Sequence, residues 1–339
     1  MILPNPEWGG PEGDRFNSCT GVAGILEAQR TLTEMPIYGQ TSSSDFHGSP
    51  YQEHVLGLSA GPYLDFPAVV SIETLSLCNA ICDFCPYPGL ERKGEVMPDS
   101  LIRKILDDLS SISERPEFQV NLSRVNEPFL DSRVIDISMD IERRFPEASS
   151  MFFSNATPLN EKNLLRLSML QRVAFLNLSV NHHRDQEYER IMGLPFARTK
   201  TRLALINEMK SSGVLPFPIY VSRVGDGGSD DAAFLEWVRT TYPALSGLVT
   251  VRGDWLGAVP TQIGVAPDVG CRQWFQLHLL SNGRHAFCCI DSDGGHGTGD
   301  ARHQHVIHEI YNHPQHRSLR EELPSRRRVS TCSLCPMLP

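Results

Sequence analysis

The chain has 339 residues, of which 40 % are hydrophobic and 21 % are charged, as in an ordinary globular protein of one large domain or two. Its net charge of -9 argues against a general nucleic-acid-binding protein, because no broad basic surface is implied. No segment approaches the ~20 apolar residues of a membrane span, and the N-terminus lacks the pattern of a signal peptide. We therefore expect a cytoplasmic protein without nucleic-acid or membrane partners.

Predicted strands and helices alternate from about residue 66, after a Gly-, Pro- and Ser-rich N-terminal extension over 1–66. The predicted strands are 68–76, 117–125, 149–156, 172–181, 217–225 and 247–255, and the predicted helices are 97–112, 132–145, 160–170, 185–212 and 230–242. The strands are mostly apolar on both faces, which is typical of a parallel sheet covered by helices. Residues 67–258 therefore predict an α/β fold, a partial (β/α)6 barrel.

The first cysteine group, Cys78, Cys82 and Cys85, follows the first predicted strand, at the edge where barrel folds place their chemistry. Grouped cysteines in a chain without export signals indicate metal binding more than disulfide bonds. Three thiolates can hold three irons of a cubic cluster and leave the fourth iron without a protein ligand. The alternative is a zinc knuckle, which needs four ligands, and no fourth Cys or His lies at finger spacing.

The C-x-x-x-C-x-x-C spacing, with Phe84 before the third cysteine, resembles the radical S-adenosylmethionine (SAM) superfamily. Three later segments resemble the family's motifs in the same order: "VNEP" (125–128), "FSNATPL" (153–159) and "LSVNHHRDQEYERIMG" (178–193). In the first of them, Val125 and Asn126 stand where the family has two glycines. The resemblance implies that Glu127 binds the SAM amino group. The other candidate cofactor-binding residues are Phe84, Ser154, Asn155, Ser179, Asn181 and Arg223.

The resemblance also implies the chemistry. A [4Fe–4S] cluster on Cys78, Cys82 and Cys85 would bind SAM through its open iron, with SAM as cofactor. Reductive cleavage of SAM would give methionine and a 5′-deoxyadenosyl radical, which removes a hydrogen atom from the substrate. A reductant such as flavodoxin or ferredoxin would supply the electron.

Residues 259–339 are rich in Cys and His, and "CRQWFQLHLLSNGRHAFCCID" (271–291) predicts two strands around a turn. The spacing from Cys271 through Gly283 to Cys288 resembles the SPASM and twitch extensions of radical SAM enzymes. The segment 305–323 resembles the helix that follows there. The resemblance implies one auxiliary [4Fe–4S] cluster, with the ligands Cys271, Cys288, Cys332 and Cys335.

Cys289 is the extra cysteine of this second group, and three interpretations remain open for it. It replaces Cys288 as a ligand, it is a small buried apolar residue, or it is a catalytic hydrogen-atom donor near the substrate. Cys19, in the N-terminal extension, is not expected to be a ligand.

The function expected from the resemblance is an enzyme of natural-product biosynthesis, including antibiotic biosynthesis. It would dehydrogenate, epimerise or decarboxylate a polar, sugar-like small molecule, as 2-deoxy-scyllo-inosamine dehydrogenase and related enzymes do. The alternative is an enzyme that epimerises or crosslinks a ribosomally made precursor peptide. The short, Pro- and Gly-rich segment 1–66 does not resemble a winged-helix leader-binding module, which favours the small molecule. A third possibility, a scaffold without catalysis, would not need Glu127.

Overall fold

The computed structural model describes residues 49–250, 255–259, 266–333 and 335. Residues 1–48 of the predicted extension (1–66) lie outside the described residues, and Cys19 is among them. The described part of the chain begins with helix α1 (Pro50–Ala60), whose N-cap Ser49 accepts a hydrogen bond from the backbone N–H of Gln52. Serine at this position satisfies a backbone donor that the helix itself leaves without a partner.

Six parallel strands alternate with helices, as the apolar periodicity predicts. They are β1 (Val69–Ile72), α2 (Asp99–Ser110), β2 (Phe118–Asn121), α3 (Val134–Arg144), β3 (Ala148–Ser154), α4 (Glu161–Leu167), β4 (Val173–Ser179), α5 (Asp185–Met192), α6 (Phe196–Ser211), β5 (Ile219–Val224), α7 (Ser229–Thr241) and β6 (Ser246–Thr250). The long helix predicted over 185–212 is two helices. Gly193 ends α5 with a φ of 65°, and Pro195, which has no N–H, precedes α6.

The core lies between the sheet and its helices. Alternate strand residues such as Val70, Ile72 and Val120 pack with the apolar stripe of α2, including Ile105 and Leu109. The opposite face of the sheet, which we call the inner face, carries a smaller aromatic cluster. Its rings Phe153, Phe175 and Tyr220 lie with successive centroids 5.5 and 6.0 Å apart. One face of the sheet therefore packs against the helices, and the inner face carries a separate aromatic cluster.

The C-terminal segment extends the same sheet. Strands β7 (Gln276–Leu279) and β8 (His285–Ala286) form the predicted antiparallel hairpin, and Gly283 in its turn has a φ of 84°. β7 also pairs in parallel with β1, so the described strands run in the order β6-β5-β4-β3-β2-β1-β7-β8. This open, mostly parallel sheet confirms the α/β partial barrel. The boundary predicted near residue 258 stays a prediction.

The helix predicted over 305–323 is a π-helical turn (Val306–Tyr311) followed by α8 (Pro314–Glu322). Pro314 starts the second helix because proline fits the first helical turn and cannot continue the preceding ladder. None of the helices in the described ranges has the length and apolarity needed to cross a lipid bilayer.

Candidate iron–sulfur and cofactor sites

Cys78, Cys82 and Cys85 lie in the loop after β1, which we call the cysteine loop (residues 78–85). The C-terminal end of α5 holds this loop. The Ile81 N–H donates to the Met192 carbonyl at 3.0 Å, and the Cys82 Sγ lies 3.4 Å from the Met192 Sδ. The segment that resembles the family motif after β4 therefore supports the loop that carries the first cysteine group.

Burial raises the pKa of all three thiols, that of Cys78 to about 12, with the neighbouring Glu127 and Cys85 adding to the effect at Cys78. Thiolates in this loop therefore need a cation, which cluster irons supply. Among the described residues, no group of three or more Cys, His, Asp or Glu side chains is arranged to hold a single metal ion. A cubane needs only three cysteines when its fourth iron binds another ligand, whereas a structural zinc ion needs four protein ligands, so three cysteines suit a cluster better than a zinc ion.

Glu127 follows β2 and is 1 % exposed. Its carboxylate accepts hydrogen bonds from the Ser154 Oγ at 2.9 Å, from the Asn155 N–H at 2.6 Å and from the Phe129 N–H at 3.2 Å. Burial raises the pKa of Glu127 to about 7, although these three donors act in the opposite direction. The structure thus brings together three of the predicted SAM-binding residues, Glu127, Ser154 and Asn155.

This carboxylate pocket adjoins the cysteine loop. The Asn155 side chain donates to the Asn79 Oδ1 at 2.8 Å, and the Asn79 amide donates to the Thr157 Oγ1 at 2.8 Å. The nearby Asn155 side chain lowers the pKa of the Cys78 thiol and so opposes the rise caused by burial. A ligand at the open iron of a cluster on Cys78 would therefore lie near the Glu127 pocket.

Asn181 and Arg223 belong to a second network at the ends of β4 and β5. The Asn181 amide donates to the Met192 Sδ at 2.9 Å, and its φ is 69°. The Arg223 guanidinium donates to Asp231 at 2.5 Å, to Asp226 at 3.0 Å and to the Asn181 carbonyl at 3.0 Å. Arg223 therefore supports the backbone of Asn181 in this structure. Its direct contact with SAM stays a prediction.

Ser179 and Phe84 stand at the edges of this region. Ser179 ends β4 and pairs with Ser222 of β5. Phe84 packs against the main core, and its carbonyl accepts a hydrogen bond from the Trp255 indole at 3.0 Å. Their contacts with SAM stay predictions as well.

The second cysteine group converges, although it comes from three distant parts of the chain. Cys271, Cys288, Cys289, Cys332 and Cys335 all line one cavity. Burial raises the pKa of each of three of these thiols: Cys332 to about 12, Cys289 to about 11, and Cys288 well above its usual range. A cluster with four thiolate ligands fits this donor set. Both Cys288 and Cys289 lie at the cavity, so the choice between them as ligands stays open.

Glu73, which sequence reasoning missed, connects the two sites. Its carboxylate is completely buried and forms two hydrogen bonds with the guanidinium of Arg92, at 2.7 and 2.9 Å. It also accepts the N–H of Val125, two residues before Glu127, and the N–H of Ser281 in the β7–β8 turn, each at 3.2 Å. A lone carboxylate directly after an apolar strand was the available signal, because a buried charge needs partners.

Arg124 was missed too, and it lies between the inner face and the second cysteine group. Its guanidinium donates to the His278 Nδ1 at 3.1 Å, to the Cys288 carbonyl at 2.9 Å and to the Asp291 carbonyl at 3.2 Å. Burial lowers the pKa of Arg124, and the nearby Cys289 opposes that shift most strongly. The positive charge therefore faces the auxiliary cysteines, where a thiolate-ligated cluster would carry negative charge.

Comparisons with known proteins agree with this architecture. Residues 271–336 match the SPASM family, an iron–sulfur cluster-binding domain. BtrN, solved with AdoMet and 2-DOIA, shares 16 % identity at a TM-score of 0.55, over 80 % of this chain and 94 % of BtrN. Streptococcus suis SuiB bound to the precursor peptide SuiA shares 14 % identity at a TM-score of 0.61, over 94 % of this chain and 82 % of SuiB. SuiB bound to S-adenosylmethionine shares 14 % identity at a TM-score of 0.60, over 93 % of this chain and 82 % of SuiB. No curated protein sequence matches the chain.

At these identities the solved structures establish the fold. BtrN and SuiB are both radical SAM enzymes of the SPASM/twitch type. The chain therefore has the fold of radical SAM enzymes, with a SPASM-type iron–sulfur segment at residues 271–336. The resemblance drawn from the cysteine spacing is confirmed at this level.

Proposed function

We propose that the protein is a radical SAM enzyme with two [4Fe–4S] clusters and SAM as cofactors. The observation that carries the proposal is the pocket in which Ser154 and Asn155 hold the buried Glu127 carboxylate beside Cys78. This pocket lies at the C-terminal ends of parallel strands, where barrel folds bind their substrates. The SPASM match and the SAM-bound structures of similar folds support both cofactors.

The protein's own groups bind and orient the cofactors. Cys78, Cys82 and Cys85 hold the first cluster, Glu127 accepts hydrogen bonds from the SAM amino group, and Asn155 positions that carboxylate. When bound, the reduced cluster and SAM supply a 5′-deoxyadenosyl radical that takes a hydrogen atom from the substrate. Cys271, Cys332 and Cys335, with Cys288 or Cys289, hold the auxiliary cluster. A flavodoxin or ferredoxin in a reducing cytoplasm provides the electron.

The substrate is a polar, sugar-like small molecule of natural-product biosynthesis, and the reaction is a dehydrogenation, epimerisation or decarboxylation. The fold shared with BtrN, of which the chain covers 94 %, supports this class. The alternative substrate is a ribosomally made peptide, and the fold shared with peptide-bound SuiB favours it. The inner face described below favours the small molecule.

The test is SAM cleavage by the anaerobically reconstituted protein. Reduction with dithionite in the presence of SAM should yield methionine and 5′-deoxyadenosine. Cys82→Ala should abolish both products, because the first cluster loses a ligand. Cys19→Ala is the matched control and should leave the yield unchanged. A wild-type protein with full iron content that forms no 5′-deoxyadenosine contradicts the proposal.

A further inference from the structure

The strands place hydrogen-bonding side chains without charge on the inner face of the sheet, beside the guanidinium of Arg124. The residues Leu277 and Leu279 of β7 pack on the helix side, so His278 points to the inner face, and the same alternation holds in the other strands. Inner-face polar residues of this kind are Ser71, Asn121, Asn177, Ser222, Gln276 and His278. A wall of neutral donors and acceptors is suited to hydroxyl groups more than to ionic groups.

His278 presents a hydrogen-bond donor without a partner. Its side chain is 1 % exposed, and its Nδ1 accepts a hydrogen bond from Arg124 at 3.1 Å. Arginine only donates, so the proton of the neutral ring lies on Nε2. Burial lowers the pKa of His278 well below its usual range, which is consistent with a neutral ring. The buried Nε2 has no hydrogen-bond partner among the described residues.

Asn177 presents the complementary acceptor. It is 7 % exposed, and its buried Oδ1 likewise has no partner in the described part of the chain. In the sheet register, Asn177 lies beside Phe153 on one side and Tyr220 on the other. These rings offer an apolar surface on which the C–H face of a saturated ring can pack. Buried polar groups are nearly always hydrogen-bonded to protein, water or a ligand, so these two atoms are candidate contacts for a ligand on this face.

We propose that His278 and Asn177 determine substrate specificity by binding hydroxyl groups of an uncharged, polyhydroxylated ring on the inner face. This inference rests on the proposed function and adds the residues and the charge class. Different hydroxyl groups of one ring can accept from the His278 Nε2–H and donate to the Asn177 Oδ1, whereas a carboxylate has no proton for Asn177. The Arg124 Nη atoms already donate to His278 and to the Cys288 and Asp291 carbonyls, whereas its buried Nε has no partner among the described residues. An anionic substituent would meet this Nε, so an anionic probe tests the charge class directly.

The experiment measures binding to the SAM-loaded, oxidised holoenzyme, which does not turn over. The probes are myo-inositol as the neutral polyol, glucuronate as the anionic one, and N-acetyl-trialanine amide as the peptide, each titrated calorimetrically. We expect myo-inositol to bind at least 10-fold more tightly than the other two. His278→Phe and Asn177→Leu should each weaken myo-inositol binding by about 10- to 100-fold, the effect of one lost buried hydrogen bond. His303→Phe, at an exposed histidine, is the matched control.

Each contrary outcome has a defined meaning. Tighter binding of glucuronate or of the peptide overturns the charge class, and so does the absence of myo-inositol binding. Binding within twofold of wild type in His278→Phe and Asn177→Leu overturns the residue assignment. A loss of SAM affinity in Asn177→Leu assigns that amide to the cofactor and overturns its role with substrate. If SAM is not cleaved at all, the proposed function itself has failed, and that is measured separately as 5′-deoxyadenosine.

Discussion

At the scale of single residues, Glu127 has the most constrained environment in the candidate SAM site. Its carboxylate is enclosed, and Ser154, Asn155 and Phe129 each donate a hydrogen bond to it. A bound ammonium group would add a charge-assisted hydrogen bond to an acceptor that is already oriented. These three donors therefore hold the Glu127 carboxylate in one orientation.

Replacing Glu127 by Ala should weaken SAM binding by about 1.5–3 kcal/mol, the range for a lost hydrogen bond to a charged group. The iron content should not change, because Glu127 is proposed to bind SAM and not to ligate iron. Equilibrium dialysis with labelled SAM and a colorimetric iron assay provide the two measurements. SAM affinity within a factor of two of wild type would show that "VNEP" is wrongly matched to the family motif.

The same carboxyl group makes stability depend on pH. Its pKa in the folded protein, about 7, exceeds its ordinary value of 4.5, so the folded state holds the proton more tightly than the unfolded state. The resulting stabilisation is complete below pH 4.5 and is lost as the pH rises through 7. Between pH 6 and 8, the SAM-free wild type should lose about 1 kcal/mol of unfolding free energy relative to Glu127→Gln. Urea titrations of both proteins measure it, and parallel curves would contradict the raised pKa.

All three interpretations of Cys289 remain open, because it lines the same cavity as Cys288. If it is the hydrogen-atom donor, Cys289→Ala keeps both clusters and cleaves SAM, but the substrate radical is not quenched and solvent deuterium is not incorporated. If it is a ligand, Cys289→Ala loses the auxiliary cluster and Cys288→Ala does not. If it only packs, neither iron nor chemistry changes. Iron content, 5′-deoxyadenosine yield and deuterium uptake in both variants separate these outcomes.

At the scale of elements, the C-terminal end of α5 packs directly against the cysteine loop. Gly193, at the end of α5, has a φ of 65°, and a Cβ there would lie 2.2 Å from the Cγ1 of Ile81 in the loop. The helix must end closely against the loop for Met192 to contact both Ile81 and Cys82. Glycine at this position thus has a conformational reason and a steric one.

Gly193→Ala should therefore cost more than a matched glycine replacement. Gly213→Ala is the control, because Gly213 has a φ of 80° but, apart from its chain neighbours, no atom of the described residues within 4 Å of its added Cβ. Both variants incur the cost of a left-handed alanine, and Gly193→Ala should lose about 0.5–1.5 kcal/mol more, because the exposed Ile81 side chain has to leave its rotamer. It should also lower the iron content of the first cluster. Equal unfolding free energies in urea, with equal iron, would show that the loop does not depend on this contact.

At the scale of the whole molecule, one sheet carries both cysteine groups. β1 leads into the cysteine loop, and β7, its parallel neighbour, leads through β8 to Cys288 and Cys289. Glu73 joins the two regions through Arg92, Val125 and Ser281. Adjacent strands and a buried ion pair therefore hold the two cysteine groups in place relative to one another.

Iron counting tests whether these are two independent clusters. The reconstituted wild type should hold about eight irons, four in each cubane. Replacing Cys78, Cys82 and Cys85 together by Ala should leave about four, held at the cavity of the second cysteine group. SAM should perturb the electron paramagnetic resonance spectrum of the reduced wild type and not that of the triple variant. A triple variant with full iron content would remove the assignment of the first site.

Much of the fold and part of the site could be predicted from the sequence, because the signals are local. Apolar periodicity depends on residues a few positions apart, and it gave six strands and the helices between them. Cys78, Cys82 and Cys85 lie within one short loop, so their spacing can be seen in the sequence. The motif around Glu127 is also a single short segment. Where a break was local but weak, as at Gly193 and Pro195, the prediction merged two helices.

The tertiary structure alone decided how distant segments meet. The hairpin of β7 and β8 could be predicted, but its pairing with β1 could not, because strand partners are chosen by surfaces that lie far apart in sequence. The contacts of Glu73 with Arg92 and Ser281 could not be predicted either, nor could the ion pair between Arg223 and Asp231. A side chain's partner depends on which backbone folds next to it, and that is a property of the assembled sheet. The assembled sheet likewise decides that the His278 Nε2 and the Asn177 Oδ1 have no partner in the described part of the chain.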